Sequence, residues 1–277
     1  MNPYLITGPA LVSFSGGRSS AYMLKHILDA NASALPDDVV VAFMNTGKER
    51  PETLEFVAEC GERWGVRIRW LEYTTDGFAE INFATAARGG EPFELLIRTR
   101  QFLPNPVIRF CTQELKVRVA KKLMLSLGYK HWDMVLGLRA DEPQRLAKMR
   151  AANDAAKERW EQTAPMATAG VTKSDVSAWW DQQPFHLRLP VLGGITPAGN
   201  CDLCFLKGAS TLLELMKEHP EWADWWVTME RLALASAPSC ATFRIDRPAY
   251  AKMQQFAKNQ TRMFEAGDPG IECFCGD

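Results

Sequence analysis

Ala10-Leu11-Val12-Ser13-Phe14-Ser15-Gly16-Gly17-Arg18-Ser19-Ser20-Ala21-Tyr22-Met23-Leu24 is the stretch whose reading decides the fold. It runs from a short apolar strand through a Ser/Gly-rich loop into residues 21–28, which carry helical spacing, and strand–loop–helix is the opening unit of a doubly wound sheet. Two glycines let the backbone turn sharply and approach an anion closely. The free N–H groups and positive dipole end of the following helix then face that anion. Ser15, Ser19 and Ser20 add hydroxyl donors and Arg18 adds charge. No Gly-Lys-Ser/Thr follows, so the loop is not of the Walker type.

Working outward, Val39–Met44 reads as a second buried strand leading into Asn45-Thr46-Gly47, with a helix starting near Pro51. Val66–Tyr73 alternates like a third strand. Residues 76–108 read as a long loop containing Gly89-Gly90. A helix is expected over Gln113–Leu127, a fourth strand over His131–Leu136, and a charged helix from Pro143 to about Trp160. Gln162–Val171 reads as a surface linker, and the remainder to about Asn259 as Trp-rich helices. The expected architecture is α/β: a doubly wound, mostly parallel sheet in residues 1–200, with a helical, cysteine-bearing C-terminal part in 201–277. Trp222, Trp225, Trp226 and Met229 fall at helical spacing and read as a packed face.

A hydrophobic fraction of 47% supports a globular core, and 23% charged residues argue against disorder. No apolar run approaches the roughly 20 residues of a membrane span. The opening MNPYLITGPALVSF lacks the basic region and cleavage site of a secretion signal, so a cytoplasmic, non-membrane protein is expected. From Arg98 to Arg150 twelve Lys or Arg stand against four acids, a balance of +8 in a chain of net charge −1. That run is either a solvated helix face or a cleft for a polyanion, whether nucleotide or nucleic-acid backbone. The seven cysteines, in a reducing compartment, point to metal binding or thiol chemistry rather than disulfides. Cys60 and Cys240 have no sequence partners and read as packing residues.

Ser13-Phe14-Ser15-Gly16-Gly17-Arg18-Ser19-Ser20 resembles the pyrophosphate loop (PP-loop) of the adenine nucleotide alpha-hydrolase superfamily, and specifically of phosphoadenosine-phosphosulfate (PAPS) reductase-like proteins. Three further segments agree in order: Asn45–Thr53, Cys111-Thr112-Gln113-Glu114-Leu115-Lys116, and Gly137-Leu138-Arg139-Ala140-Asp141-Glu142-Pro143-Gln144-Arg145. Together they cover roughly residues 10–205. The resemblance implies a nucleotide site (ATP or PAPS) built from Ser13, Ser15, Gly16, Gly17, Arg18, Ser19, Ser20, Asn45, Thr46, Gly47, Gly137, Asp141 and Glu142. Members that cleave ATP carry an aspartate where this chain has Ser19, which leaves Asp141 and Glu142 as metal (Mg²⁺) or ribose partners, or as simple helix N-terminal acids. Lys116, Arg139 and Arg145 are the expected catalytic cations.

Cys201-x-x-Cys204 can share one metal. The resemblance favours a [4Fe–4S] cluster on Cys111, Cys201 and Cys204, its fourth iron left to a tail cysteine, Cys275 or Cys273, or to an exchangeable sulfur, with zinc or no metal as the other readings. Such reductases show a Cys-Cys pair where Phe110 here precedes Cys111. The tail Glu272-Cys273 is similar to the family's C-terminal Glu-Cys-Gly segment, which implies a nucleophilic Cys273. The leading expectation is an ATP-using enzyme that transfers sulfur to an acceptor, served by a sulfur donor or reductant protein, with a nucleic acid among the acceptors. A PAPS or APS reductase is the first alternative, and a nucleotide- and cluster-binding sensor the second.

Overall fold

The computed structural model describes residues 2–32, 34–237 and 241–259. Six strands form one sheet: β1 (Ala10–Ser13), β2 (Val39–Asn45), β3 (Ile68–Thr74), β4 (Gly77–Ile81), β5 (Trp132–Val135) and β6 (Trp160–Thr163). Their order is β4-β3-β2-β1-β5-β6, all parallel except β4. The chain therefore steps outward from β1 through β2 to β3, then returns to the other side of β1 for β5 and β6. The reversal lies between β1 and β5, and open α/β sheets bind ligands at the carboxyl ends of the strands there.

Eleven α-helical segments flank the sheet: α1 (Arg18–Ala30), α2 (Pro51–Trp64), α3 (Glu91–Arg100), α4 (Phe110–Thr112), α5 (Arg118–Ser126), α6 (Pro143–Asp154), α7 (Pro165–Thr168), α8 (Lys173–Trp180), α9 (Ala209–Glu218), α10 (Ala223–Ser236) and α11 (Tyr250–Asn259). Both faces of β1 are covered, which is why its sequence is continuously apolar rather than alternating. Ala10 and Val12 join the larger core, shared with Leu24, Phe56 and Trp180, while Leu11 packs the opposite face with Val119, Leu123 and Met124 of α5. The larger core continues into the C-terminal helices through Leu203, Leu212, Trp226 and Tyr250. Trp226 and Met229 are fully buried, as the packed-face reading expects. Cys60 is likewise buried in α2, and burial pushes its thiol pKa well up.

Four sequence expectations are corrected. Residues 76–108 are not one loop: Thr74 pairs with Gly77 across a two-residue turn, making the β3–β4 hairpin, and Glu91–Arg100 is helical. The turn residues are Thr75 and Asp76, and the glycine that follows them, Gly77 at φ 152°, opens β4 and was the missed signal. The helix from Pro143 ends at Asp154, and Trp160–Thr163 is the edge strand β6. Gln162–Val171 is therefore no surface linker; Met166 within it is fully buried. Finally, the helix expected over Gln113–Leu127 starts at Phe110 and contains a π-helical turn, Gln113–Val117, between α4 and α5.

Candidate functional site

The loop after β1 is held by its own side chains. Ser20 Oγ accepts from Ser15 N–H at 3.2 Å, contacts Ser15 Oγ at 2.9 Å and donates to the Gly17 carbonyl at 3.0 Å. Gly16 sits at φ +77°, and a Cβ there would lie 2.8 Å from Thr53 Cγ2 and 2.9 Å from Val57 Cγ2. Glycine is thus required for both conformation and space. Gly17 is the N-cap of α1, with no side-chain cap and no acid in the first turn, so this helix end is left to an anion. The loop is gripped from α8, where Trp180 Nε1 donates to the Arg18 carbonyl at 2.9 Å.

The loop after β5 packs directly on it. A Cβ on Gly137 would come within 3.2 Å of Ser20 Cα, and Arg139 Nη1 donates to Ser19 Oγ at 2.9 Å. Glu142 is buried, whereas Asp141 is exposed at the rim. Asp141 accepts from Arg139 Nε at 3.0 Å and from Lys173 N–H at 3.1 Å; Glu142 accepts from Arg139 N–H at 2.8 Å and forms a buried ion pair with Arg145. All four carboxylate oxygens are therefore engaged. The two carboxylates hold Arg139, Arg145 and the Lys173 amide, and no step is routed through Mg²⁺ at this pair.

Two hollows flank the paired loops. The larger, about 390 Å³, opens beside Ser15, Ser20 and Gly137; Lys116, Arg145 and Lys148 stand on its wall, with Met44, Met134 and Leu136 among its apolar surfaces. Ser13 also lines it. The smaller, about 40 Å³, lies at the N-terminus of α1 against Gly17, Arg18 and Ser19, with Arg139, Lys173 and Thr53 on its walls. Thr53 is buried, and its hydroxyl has no hydrogen-bond partner. The first hollow has room for a nucleoside; the second is the size of one tetrahedral oxyanion.

Residues 45–49 of the second-strand motif are buried and line neither hollow, while Thr53 at its end lines the smaller one. Asn45 donates to Glu72 at 2.6 Å and to the Ala87 carbonyl at 2.9 Å, and its own Oδ1 accepts from Gly47 N–H at 3.1 Å. Glu49 Oε2 accepts from Thr46 N–H and Oγ1, both at 2.8 Å, while Oε1 faces Lys116 Nζ at 3.8 Å. This motif thus shapes the cleft through Lys116, which projects from the π turn. Such turns collect at functional sites because they re-aim side chains. Lys48 and Asp202, both buried, pair at 3.0 Å and pin the Cys201–Cys204 segment to β2. Thr46 Oγ1 lies 3.5 Å from Cys201 Sγ.

The sequence of residues 9–183 matches the model of the phosphoadenosine phosphosulfate reductase domain. The chain belongs to that family. It is 32% identical over 216 residues to the uncharacterized nin region protein ORF290 of Escherichia phage lambda, covering 73% of this chain and 67% of that one. Among solved structures it is similar to the U34-tRNA thiolase NcsA from Methanococcus maripaludis with its [4Fe–4S] cluster, at 11% identity and a TM-score of 0.48, covering 99% of this chain and 81% of that one.

Cys111 lies within the matched PAPS reductase domain and Cys201 and Cys204 beyond it, and among the described residues the three are not grouped as a ligand set. Among the described residues no group of three or more His, Cys, Asp or Glu side chains is placed to hold a metal ion. As placed, these cysteines therefore do not fit a [4Fe–4S] cluster or a closed zinc site, and no step is derived through either. Cys240, Cys273 and Cys275 lie outside the described residues. Sequence reading missed Lys148, Thr53 and the β6 residues Trp160 and Gln162, all of which line one hollow or the other. Lys148 sits one turn after Arg145 on α6, a helical spacing that gave a usable signal. The β6 residues gave none, since Trp-Glu-Gln-Thr carries no strand-like apolar alternation. Among the described residues no helix is long and apolar enough to cross a membrane.

Proposed function

We propose that this chain is a PP-loop enzyme of sulfur chemistry that binds an adenine nucleotide bearing a phosphosulfate. The base occupies the larger hollow, and the anionic groups meet Ser15, Ser20, Lys116 and Lys148, with the α1 terminus accepting a further oxyanion. The observation that supports this is the pairing, at the sheet's reversal, of an apolar slot with three cations and an uncapped helix end. The carboxylates expected to carry Mg²⁺ are committed to Arg139, Arg145 and the Lys173 amide. That favours a phosphosulfate over a triphosphate, whose terminal phosphates normally arrive with Mg²⁺.

In this reading a thiolate, for which Cys273 is the candidate, attacks the sulfo sulfur. An S–S bond forms, the S–O bond to phosphate breaks, and the nucleotide phosphate leaves with that electron pair. Lys116 and Lys148 offset the charge gathering on the leaving oxygen. A second thiol, supplied by a dithiol reductant protein, then attacks the cysteine sulfur. Sulfite departs and a disulfide remains, so the two electrons come from the thiols.

The test incubates the chain with PAPS and a dithiol, and separately with Mg-ATP and a sulfur donor. Sulfite and adenosine 3′,5′-bisphosphate in the first mixture are expected, with Lys116→Ala slowing release about 100-fold. Pyrophosphate or AMP appearing only in the second would replace this reading with ATP-driven sulfur transfer to an acceptor such as a nucleic acid. Tight nucleotide binding with neither product would leave a sensor.

A further inference from the structure

We infer that Gln162 reads the Watson–Crick edge of the nucleobase, an assignment that rests on the larger hollow taking an adenine nucleotide. β6 is the last strand of the sheet, so its outer backbone groups would be unpaired. At Gln162 they are not. Asn153 of α6 donates from Nδ2 to the Gln162 carbonyl at 2.9 Å and accepts the Gln162 N–H on Oδ1 at 2.9 Å. One side-chain amide thus stands in for a missing strand and fixes the backbone of Gln162.

Residues two apart on a strand share a face, and Trp160 and Gln162 both line the larger hollow. Trp160 is stiffened by stacking on Trp132, with ring centroids 5.5 Å apart and planes at 25°. Gln162 lines the hollow together with Met134, Leu136, Met149 and Ala152, and its side-chain amide forms no hydrogen bond to another described residue. A primary amide offers a donor and an acceptor side by side. Adenine presents the matching pair, with its 6-amino group donating and its N1 accepting. A braced amide in an apolar slot is therefore suited to a flat base with such an edge, while the cations elsewhere in the hollow take the phosphates.

The test is calorimetric titration with AMP and with purine riboside 5′-monophosphate, which lacks the 6-amino group. Wild type is expected to favour AMP by about 10-fold or more. Gln162→Leu should bind AMP about 10- to 100-fold more weakly and no longer separate the two ligands. Gln162→Glu, which places acceptors against N1, should also weaken AMP at least about 10-fold, and it carries the test if the leucine variant does not fold. Gln162→Leu retaining the wild-type preference would overturn the assignment while leaving the nucleotide site intact. Wild type binding neither ligand would overturn both the assignment and the proposed function.

Discussion

Gly16→Ala tests the central claim that the phosphate loop is shaped by its packing on α2. The new methyl would meet Thr53 Cγ2 at 2.8 Å, Val57 Cγ2 at 2.9 Å and Phe43 Cε2 at 3.3 Å, on a backbone at φ +77°. An L-residue in the left-handed region costs about 1–2 kcal/mol. Overpacking of a tight site adds about 1–3 kcal/mol. The sum, about 2–5 kcal/mol, is a large share of the roughly 5–15 kcal/mol of a typical domain, so the variant should fold with a much lower urea midpoint.

The packing part can be separated from the backbone part. Thr53→Ser deletes the methyl nearest the new Cβ, and the Thr53 hydroxyl has no hydrogen-bond partner to lose. In wild type that deletion leaves a small void and should cost about 1 kcal/mol. In the Gly16→Ala background the same void receives the alanine methyl, so Thr53→Ser should instead recover about 1 kcal/mol. The four proteins form a double-mutant cycle read by urea unfolding. A Gly16→Ala loss under about 1 kcal/mol, or a Thr53→Ser change of the same sign in both backgrounds, would refute the steric reasoning.

Other consequences can be checked separately. Arg145→Met removes the closer of two ion-pair partners of buried Glu142, Arg139 remaining at 3.8 Å, and should cost about 1–3 kcal/mol, part of it regained by adding Glu142→Gln; an unchanged denaturation midpoint would contradict the pair. Cys60, fully buried with its thiol pKa raised by burial, should resist iodoacetamide in the native protein and react on unfolding, as peptide mapping of the alkylated chain would show. Burial also raises the Glu230 carboxyl above 4.5, even though it accepts hydrogen bonds from the Tyr250 and Phe243 amides. A folded pKa above the unfolded one gives stability that is present at low pH and lost as pH rises through the folded value. Glu230→Gln should therefore flatten the fall in urea midpoint as pH rises above the ordinary carboxylate range of about 4, and an unchanged slope would show that another group causes it.

The fold was legible where chain-local chemistry dictates it. Ala10, Leu11, Val12 and Phe14 are apolar because both faces of β1 are buried, and the glycines after them mark the turn. Pro51 opens α2, and Gly65, left-handed at φ +62°, closes it. β6 was hidden because its residues are polar at the rim of a hollow and its outer edge is satisfied by Asn153, a contact no local pattern encodes. The π turn was equally hidden: Gln113–Val117 differs from an ordinary helix only in which carbonyl each amide reaches.

The site shows a sharper limit of sequence reading, because a motif names residues without saying which of them face one another. Gly137-Leu138-Arg139-Ala140-Asp141-Glu142 and Arg145 read equally well as acids for a metal and cations for a phosphate. Geometry separates the two roles, since the acids hold the arginines. Glu142 takes both the Arg145 guanidinium and the Arg139 amide, and Asp141 takes the Arg139 guanidinium, which then reaches Ser19 Oγ at 2.9 Å. An aspartate at position 19 would draw that guanidinium away from Asp141 and place a negative charge on the wall of the smaller hollow. Serine instead accepts one hydrogen bond and leaves that wall cationic. The Ser19 departure and the arginine-paired acids thus describe a single arrangement: a loop whose surroundings favour an oxyanion without an aspartate to bring in a metal.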